Sequence, residues 1–179
     1  MATIEHIGSY KVKSGDQFFF DCNVWMFIFS PFSVAKKHQQ KIYTNLLRDI
    51  QTARASIVTS SLILSEYINR SLRLNYENWK DTEVRNGNRF VKYKEDYRKT
   101  SDFKEDQMSI NEEVKDILKI AQRMPDNFHT INLEAIFKET DMDFNDAYYT
   151  SLCKLDNYIL VSDDKDLQNT QSDIKILTM

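Results

Sequence analysis

The short apolar runs of this sequence end at polar or acidic residues, and long amphipathic stretches separate most of them. QFFFD (17–21) is an aromatic run closed by an acid, SIVTS (56–60) and YILVS (158–162) end in hydroxyls, and IKILTM (174–179) lies last. FHTIN (128–132) reads as one more short strand. From Lys36 to Arg54, Ile42, Leu46 and Ile50 recur every fourth position with Tyr43 and Leu47 beside them, the pattern of an amphipathic helix. Ser61 to Leu74 carries Leu64, Ile68 and Leu72 on one stripe, and the preceding Ser/Thr cluster can cap it. Ser109 and Glu112 form a capping box ahead of Ile110, Val114, Ile117, Leu118 and Ala121. LEAIFKE supplies one or two helical turns, and NDAYYTSLCKLDN a helix with Asn145 or Asp146 at its start. Strands alternating with helices of this length give an α/β domain with a largely parallel sheet.

With 179 residues, the chain fits one domain over 1–179 and can bury a real core. The stretch 76–107 breaks the pattern: Trp79, Phe90, Tyr93, Tyr97 and Phe103 stand among dense charges of both signs. Phe90, Tyr93 and Tyr97 share a helical face, so this stretch reads as a charged helical insertion. It is either a solvated helical hairpin packed on the domain, or a substrate lid or partner-binding arm, since aromatics mixed with Lys and Arg suit stacking on bases. The sequence has only three glycines, Gly8, Gly15 and Gly87, too few and too scattered for a phosphate-cradling loop, so ATP and NAD sites drop out. Cys22 and Cys153 form no CxxC pair and read as buried free thiols. No apolar run reaches the roughly 20 residues a bilayer requires, and no signal-peptide layout opens the chain, so a reducing cytoplasm is expected. A net charge of −3 provides no global attraction for a polyanion.

In open α/β sheets, ligands bind beyond the carboxyl ends of the strands. Asp21 follows the first aromatic run there, and Asp163, Asp164 and Asp166 follow YILVS. Asp143 and Asp146 sit near a helix start, and Glu66 stands in the second turn of the helix after SIVTS. Each has an ordinary explanation taken alone: Asp21 or Asp146 as a helix cap, Glu66 as a surface residue, and the 163–166 acids as turn chemistry. Together they would repel one another and raise their own pKa values. A hard divalent cation removes that conflict, and oxygen-only ligands suit Mg²⁺ or Mn²⁺. His6, His38 and His129 are scattered and do not suggest zinc.

In FFDCNVW, TSSLILSEYINR, DFNDAYYTSLCKLDN and YILVSDDKDL the chain resembles PIN-domain nucleases, the fold of many toxin ribonucleases of bacterial toxin–antitoxin pairs. The resemblance implies a three-layer α/β/α fold and a metal-dependent endoribonuclease whose catalytic acids are Asp21, Glu66, Asp146 and Asp164. It implies that Asp21, Asp146 and Asp164 hold Mg²⁺ or Mn²⁺, with Glu66 acting through water. Asn23, Asp143, Ser162 and Asp166 fall at supporting positions. RNA is the implied substrate, and an antitoxin protein and a second copy of the chain are admissible partners. Ser162 stands where the family usually has Thr. Arg70 and Arg73, at i+4 and i+7 from Glu66, are candidate substrate contacts, as are Lys36, Lys37, Lys41 and Arg48; a solvated helix face is the alternative for all of them. A haloacid-dehalogenase-like phosphohydrolase is a rival reading, but Asn23 cannot supply the proton its D-x-D motif needs. A non-catalytic binding module that keeps the fold is another.

Overall fold

The computed structural model describes residues 1–31, 36–125, 127–138 and 142–179. The run QFFF forms strand β2 (Gln17–Phe20), in which Phe18, Phe19 and Phe20 are all fully buried. A strand with both faces covered belongs inside a parallel sheet with helices above and below, and each buried ring stabilises the fold by roughly 1.5–3 kcal/mol. The sheet has six parallel strands in the order β1-β6-β5-β2-β3-β4. The others are β1 (Thr3–His6), β3 (Ser56–Thr59), β4 (Ala121–Arg123), β5 (Ile159–Val161) and β6 (Lys175–Thr178).

Seven helices are present among the described residues: α1 (Cys22–Phe29), α2 (Lys37–Ala53), α3 (Ser61–Arg85), α4 (Ser101–Ile120), α5 (Leu133–Lys138), α6 (Phe144–Asp156) and α7 (Lys165–Gln168). Helices α1 to α4 pack among themselves, and so do α5 to α7. Right-handed crossovers account for this division. The steps β2→β3→β4 run one way across the sheet, and β4→β5→β6 return to the other side of β2 and continue outward. The result is a three-layer α/β/α sandwich. The strand order reverses at β2 and β5, the switch point where such sheets open a crevice.

Several local expectations change. FHTIN is not a strand: Phe128–Thr130 form a 3₁₀ turn, with Phe128 half exposed and no partner strand. The helix expected from Ser61 to Leu74 runs on to Arg85, because its buried stripe (Ile63, Tyr67, Leu72) continues to Tyr76. It stops where Gly87 takes φ +97, a conformation costly for any other residue. Helix α4 starts eight residues before the Ser109 capping box: Thr100 is the N-cap, accepting from Phe103 N–H at 3.1 Å, and Phe103, Ile110 and Ile117 repeat at every seventh position. Phe90, Tyr93 and Tyr97 do not share a helix, since Phe90 is 96% exposed whereas Tyr97 is buried in a 3₁₀ turn. The rings of Tyr76, Trp79, Tyr93, Tyr97 and Phe103 pack on one another at 5.3–6.3 Å, so of the aromatics in this stretch Phe90 alone stands fully open to a stacking partner.

Candidate active site

Strand register brings the first two site residues together. Phe20 lies opposite Val161, and the Asp21 N–H donates to the Val161 carbonyl at 3.1 Å, so Asp21 and Ser162 leave neighbouring strands side by side. Asp21 occupies the N-cap position of α1, yet its carboxylate makes no capping bond. Its Oδ2 accepts instead from Asn23 Nδ2 at 3.1 Å and from Ser162 Oγ at 3.0 Å. The Ser162 oxygen in turn accepts from the Asp164 N–H at 3.0 Å, and Asp164 Oδ1 accepts from the Asp166 N–H at 2.9 Å. The loop after β5 is thus tied to the end of β2 through one hydroxyl.

Two further elements bring their acids to this edge. Ser60 caps α3 by accepting from the Ile63 N–H, which starts the helix so that Glu66 stands in its second turn. Glu66 Oε2 accepts from the Tyr149 hydroxyl of α6 at 2.8 Å. Asp143, not Asn145 or Asp146, is the N-cap of α6, and it too makes no side-chain cap bond; Asp146 lies in the first turn.

The electrostatics show that these carboxylates share one neighbourhood. Asp21, only 3% exposed, is raised from 3.8 to about 6, chiefly by burial. The Ser162 bond opposes that rise, the Glu66 charge adds to it, and Asn23 and the Cys22 amide oppose it. Asp146 is raised to about 7, by burial first and then by Asp21, Asp164, Glu66 and Asp143. The Tyr149 hydroxyl is pushed up by burial and by Glu66. Each anion costs free energy here because water is scarce and other carboxylates are near.

The structure brings together Asp21, Glu66, Asp146 and Asp164, with Asp143 in range of Asp146 and with Asn23 and Ser162 on Asp21. Asp166 is exposed and reaches the cluster through its backbone amide alone. Arg70 lies one turn beyond Glu66 and shares a groove with Asn23, whereas Arg73 is held over the Tyr93 ring at 5.5 Å. Tyr149 is the site residue that sequence reasoning missed. Its signal was present, because it stands three residues after Asp146 on the same helical face. Among the described residues, no three His, Cys, Asp or Glu side chains already stand at chelating distance. The donor set nonetheless fits a hard divalent cation, being made of carboxylate oxygens whose mutual repulsion such an ion relieves.

A family model for the PIN domain matches residues 18–172, most of the chain and all of these acids. The chain belongs to the PIN domain family. PIN domains are generally metal-dependent nucleases, and membership excludes the haloacid-dehalogenase-like reading. Among solved structures, this PIN chain is similar to VapBC2 from Rickettsia felis bound to a DNA fragment from their promoter. The two are 13% identical with a TM-score of 0.52, over 90% of this chain and 98% of that one. PAE2754 from Pyrobaculum aerophilum is 15% identical with a TM-score of 0.45, over 97% of this chain and 92% of that one. At 13% identity the likeness to VapBC2 is one of fold alone. No curated protein matches the chain in sequence.

Proposed function

We propose that this PIN domain is a Mg²⁺- or Mn²⁺-dependent endoribonuclease. The observation that carries the reading is the elevation of Asp21 and Asp146 by burial among neighbouring carboxylates, with Glu66 and Asp164 contributing. Acids from four different elements converge at the switch point at a cost to the free protein, and a bound cation offsets that cost. Asp21, Asp146 and Asp164 would hold the ion, which supplies charge neutralisation at a phosphodiester and acidifies water. Asn23 and Ser162 fix the Asp21 carboxylate in one orientation. Glu66, held by the Tyr149 hydroxyl and within hydrogen-bond reach of the Cys22 thiol, would orient the attacking water. Asp143 and Asp166 add negative charge at the rim.

The toxin role follows from the same reading. The Rickettsia felis neighbour is a VapBC pair, and an antitoxin protein is the partner we propose for this chain. A small DNA-binding protein encoded in the adjacent reading frame would support it. The compartment assumed is the cytoplasm: Cys22 and Cys153 are buried free thiols, and no described helix is long and apolar enough to cross a membrane. The test is cleavage of a single-stranded RNA with Mn²⁺, repeated with EDTA and with Asp21→Asn. Loss of cleavage in both controls is expected; cleavage that survives either one overturns the mechanism. No cleavage by the unaltered protein leaves a binding module instead.

A further inference from the structure

Beside the acidic cluster, a groove of about 200 Å³ opens between α1 and α3, lined by Asn23, Met26, Phe27, Lys36, Arg70 and Leu74 among others. It adjoins the cluster directly, because Asn23 lines the groove and donates to Asp21 Oδ2. Two cations face into it. Arg70 is close enough to the cluster for its charge to lower the Cys22 thiol, against burial and the Glu66 and Asp21 charges that raise it. The Lys36 ammonium stands 5.2 Å above the Phe27 ring, which is itself stacked on Tyr43 at 5.6 Å with planes 5° apart. Phe27 is therefore a mount that aims the ammonium and offers no open platform for a base. Among the described residues, neither Lys36 nor Arg70 forms an ion pair.

A nucleic acid approaching this edge meets repulsion from the carboxylates and from a net charge of −3. Local cations must supply the attraction, and these two flank the cluster on one side. We propose that Lys36 and Arg70 grip the backbone phosphate adjacent to the one presented to the acids, on a single strand lying between α1 and α3. Size supports a sugar-phosphate unit, since pockets for whole drug-sized ligands run to roughly 300–1,000 Å³. Burial supports a single strand, because a phosphate can reach Asp21, 3% exposed, only by entering the cleft. Arg73 does not line the groove and lies over the Tyr93 ring, so it takes no part. The inference rests on the nuclease reading for the position of the scissile phosphate, but the binding itself needs no hydrolysis.

The experiment is fluorescence anisotropy of a labelled 12-nucleotide single-stranded RNA in EDTA, over a series of NaCl concentrations. Lys36→Gln combined with Arg70→Gln is expected to weaken binding about tenfold at low salt. It should also flatten the log–log salt slope by about 0.7 for each phosphate that is no longer neutralised. Arg73→Gln should leave Kd and slope unchanged, and thermal melts verify that each variant is folded. No binding by the unaltered protein, an unchanged slope in the double variant, or equal affinity for an RNA duplex of the same sequence overturns the proposal. So does equally effective competition by an acidic peptide, which would make the groove a protein-docking site. Loss of cleavage with groove-dependent binding intact sinks the nuclease reading alone, and the reverse outcome sinks only the groove.

Discussion

Replacing Asp21 by Asn should make the metal-free protein more stable while abolishing its chemistry. The carboxyl is carried from 3.8 to about 6. At about 1.4 kcal/mol per pH unit, that is a penalty on the order of 3 kcal/mol for holding the anion in the fold. The sign follows from linkage: the folded chain holds this proton more tightly than the unfolded chain does. The associated stability is complete below about pH 4 and is lost as pH rises through about 6. Asparagine carries no charge, and its amide oxygen can take the place of Oδ2 and accept from Asn23 and Ser162. The variant should therefore match the unaltered protein near pH 4 and exceed it by up to roughly 3 kcal/mol at pH 8. For a chain of this length that corresponds to a Tm gain of about 6–12 °C. Thermal melts followed by circular dichroism in EDTA, at steps from pH 4 to 8, measure it. Excess Mn²⁺ should then narrow the gap, because a ligand that binds only the folded state stabilises it, and the variant binds the ion less well. An Asn variant that melts at or below the unaltered protein at pH 8 in EDTA refutes the claim that Asp21 is a strained anion awaiting a cation.

Three further substitutions probe neighbouring parts of the account. Tyr149→Phe removes the hydroxyl on Glu66 without emptying the core, and kcat should fall roughly tenfold with KM unchanged in steady-state cleavage assays, in line with a hydrogen bond to a charged group. Ser162→Ala removes a bond that holds Asp21 down, so the Asp21 pKa rises further above about 6. The acid limb of the pH–rate profile should then move to higher pH, and an unmoved limb would take Ser162 out of the site. Tyr97→Ala empties the centre of the aromatic cluster and should cost about 3–5 kcal/mol in chemical denaturation. The same variant should leave the salt slope of RNA binding untouched, because those rings bind one another.

The alternation of apolar runs and amphipathic stretches made the layered architecture legible in the sequence. The acids were legible because they follow those runs directly. What escaped was local. Strand β1 (TIEH) and strand β4 (AQR) are edge strands with mostly exposed residues, so neither carries an apolar pattern; pairing with β6 and β3 makes them strands. Helix α1 was hidden for the opposite reason: CNVWMFIF is apolar almost throughout and lacks the polar stripe that reveals a helix. Ser109 misled because a capping box within a long helix looks like a beginning. The choice between cap and ligand at Asp21 could not be read from the sequence, since both place an acid after a strand. Geometry distinguishes them: Asp21 has the backbone of a cap, while its carboxylate turns to Asn23 and Ser162.

The central claim is that the convergent acids form a cation site whose protons leave when the metal enters. Calorimetric titration of Mn²⁺ at pH 6.5, in buffers of differing ionisation enthalpy, measures that proton count directly. With Asp21 near 6 and Asp146 near 7, about one proton should be released per ion. The number should fall towards zero above about pH 8.5 and drop in Asp21→Asn and Asp146→Asn. Mn²⁺ binding with no proton release, or with an affinity indifferent to both substitutions, would contradict the account.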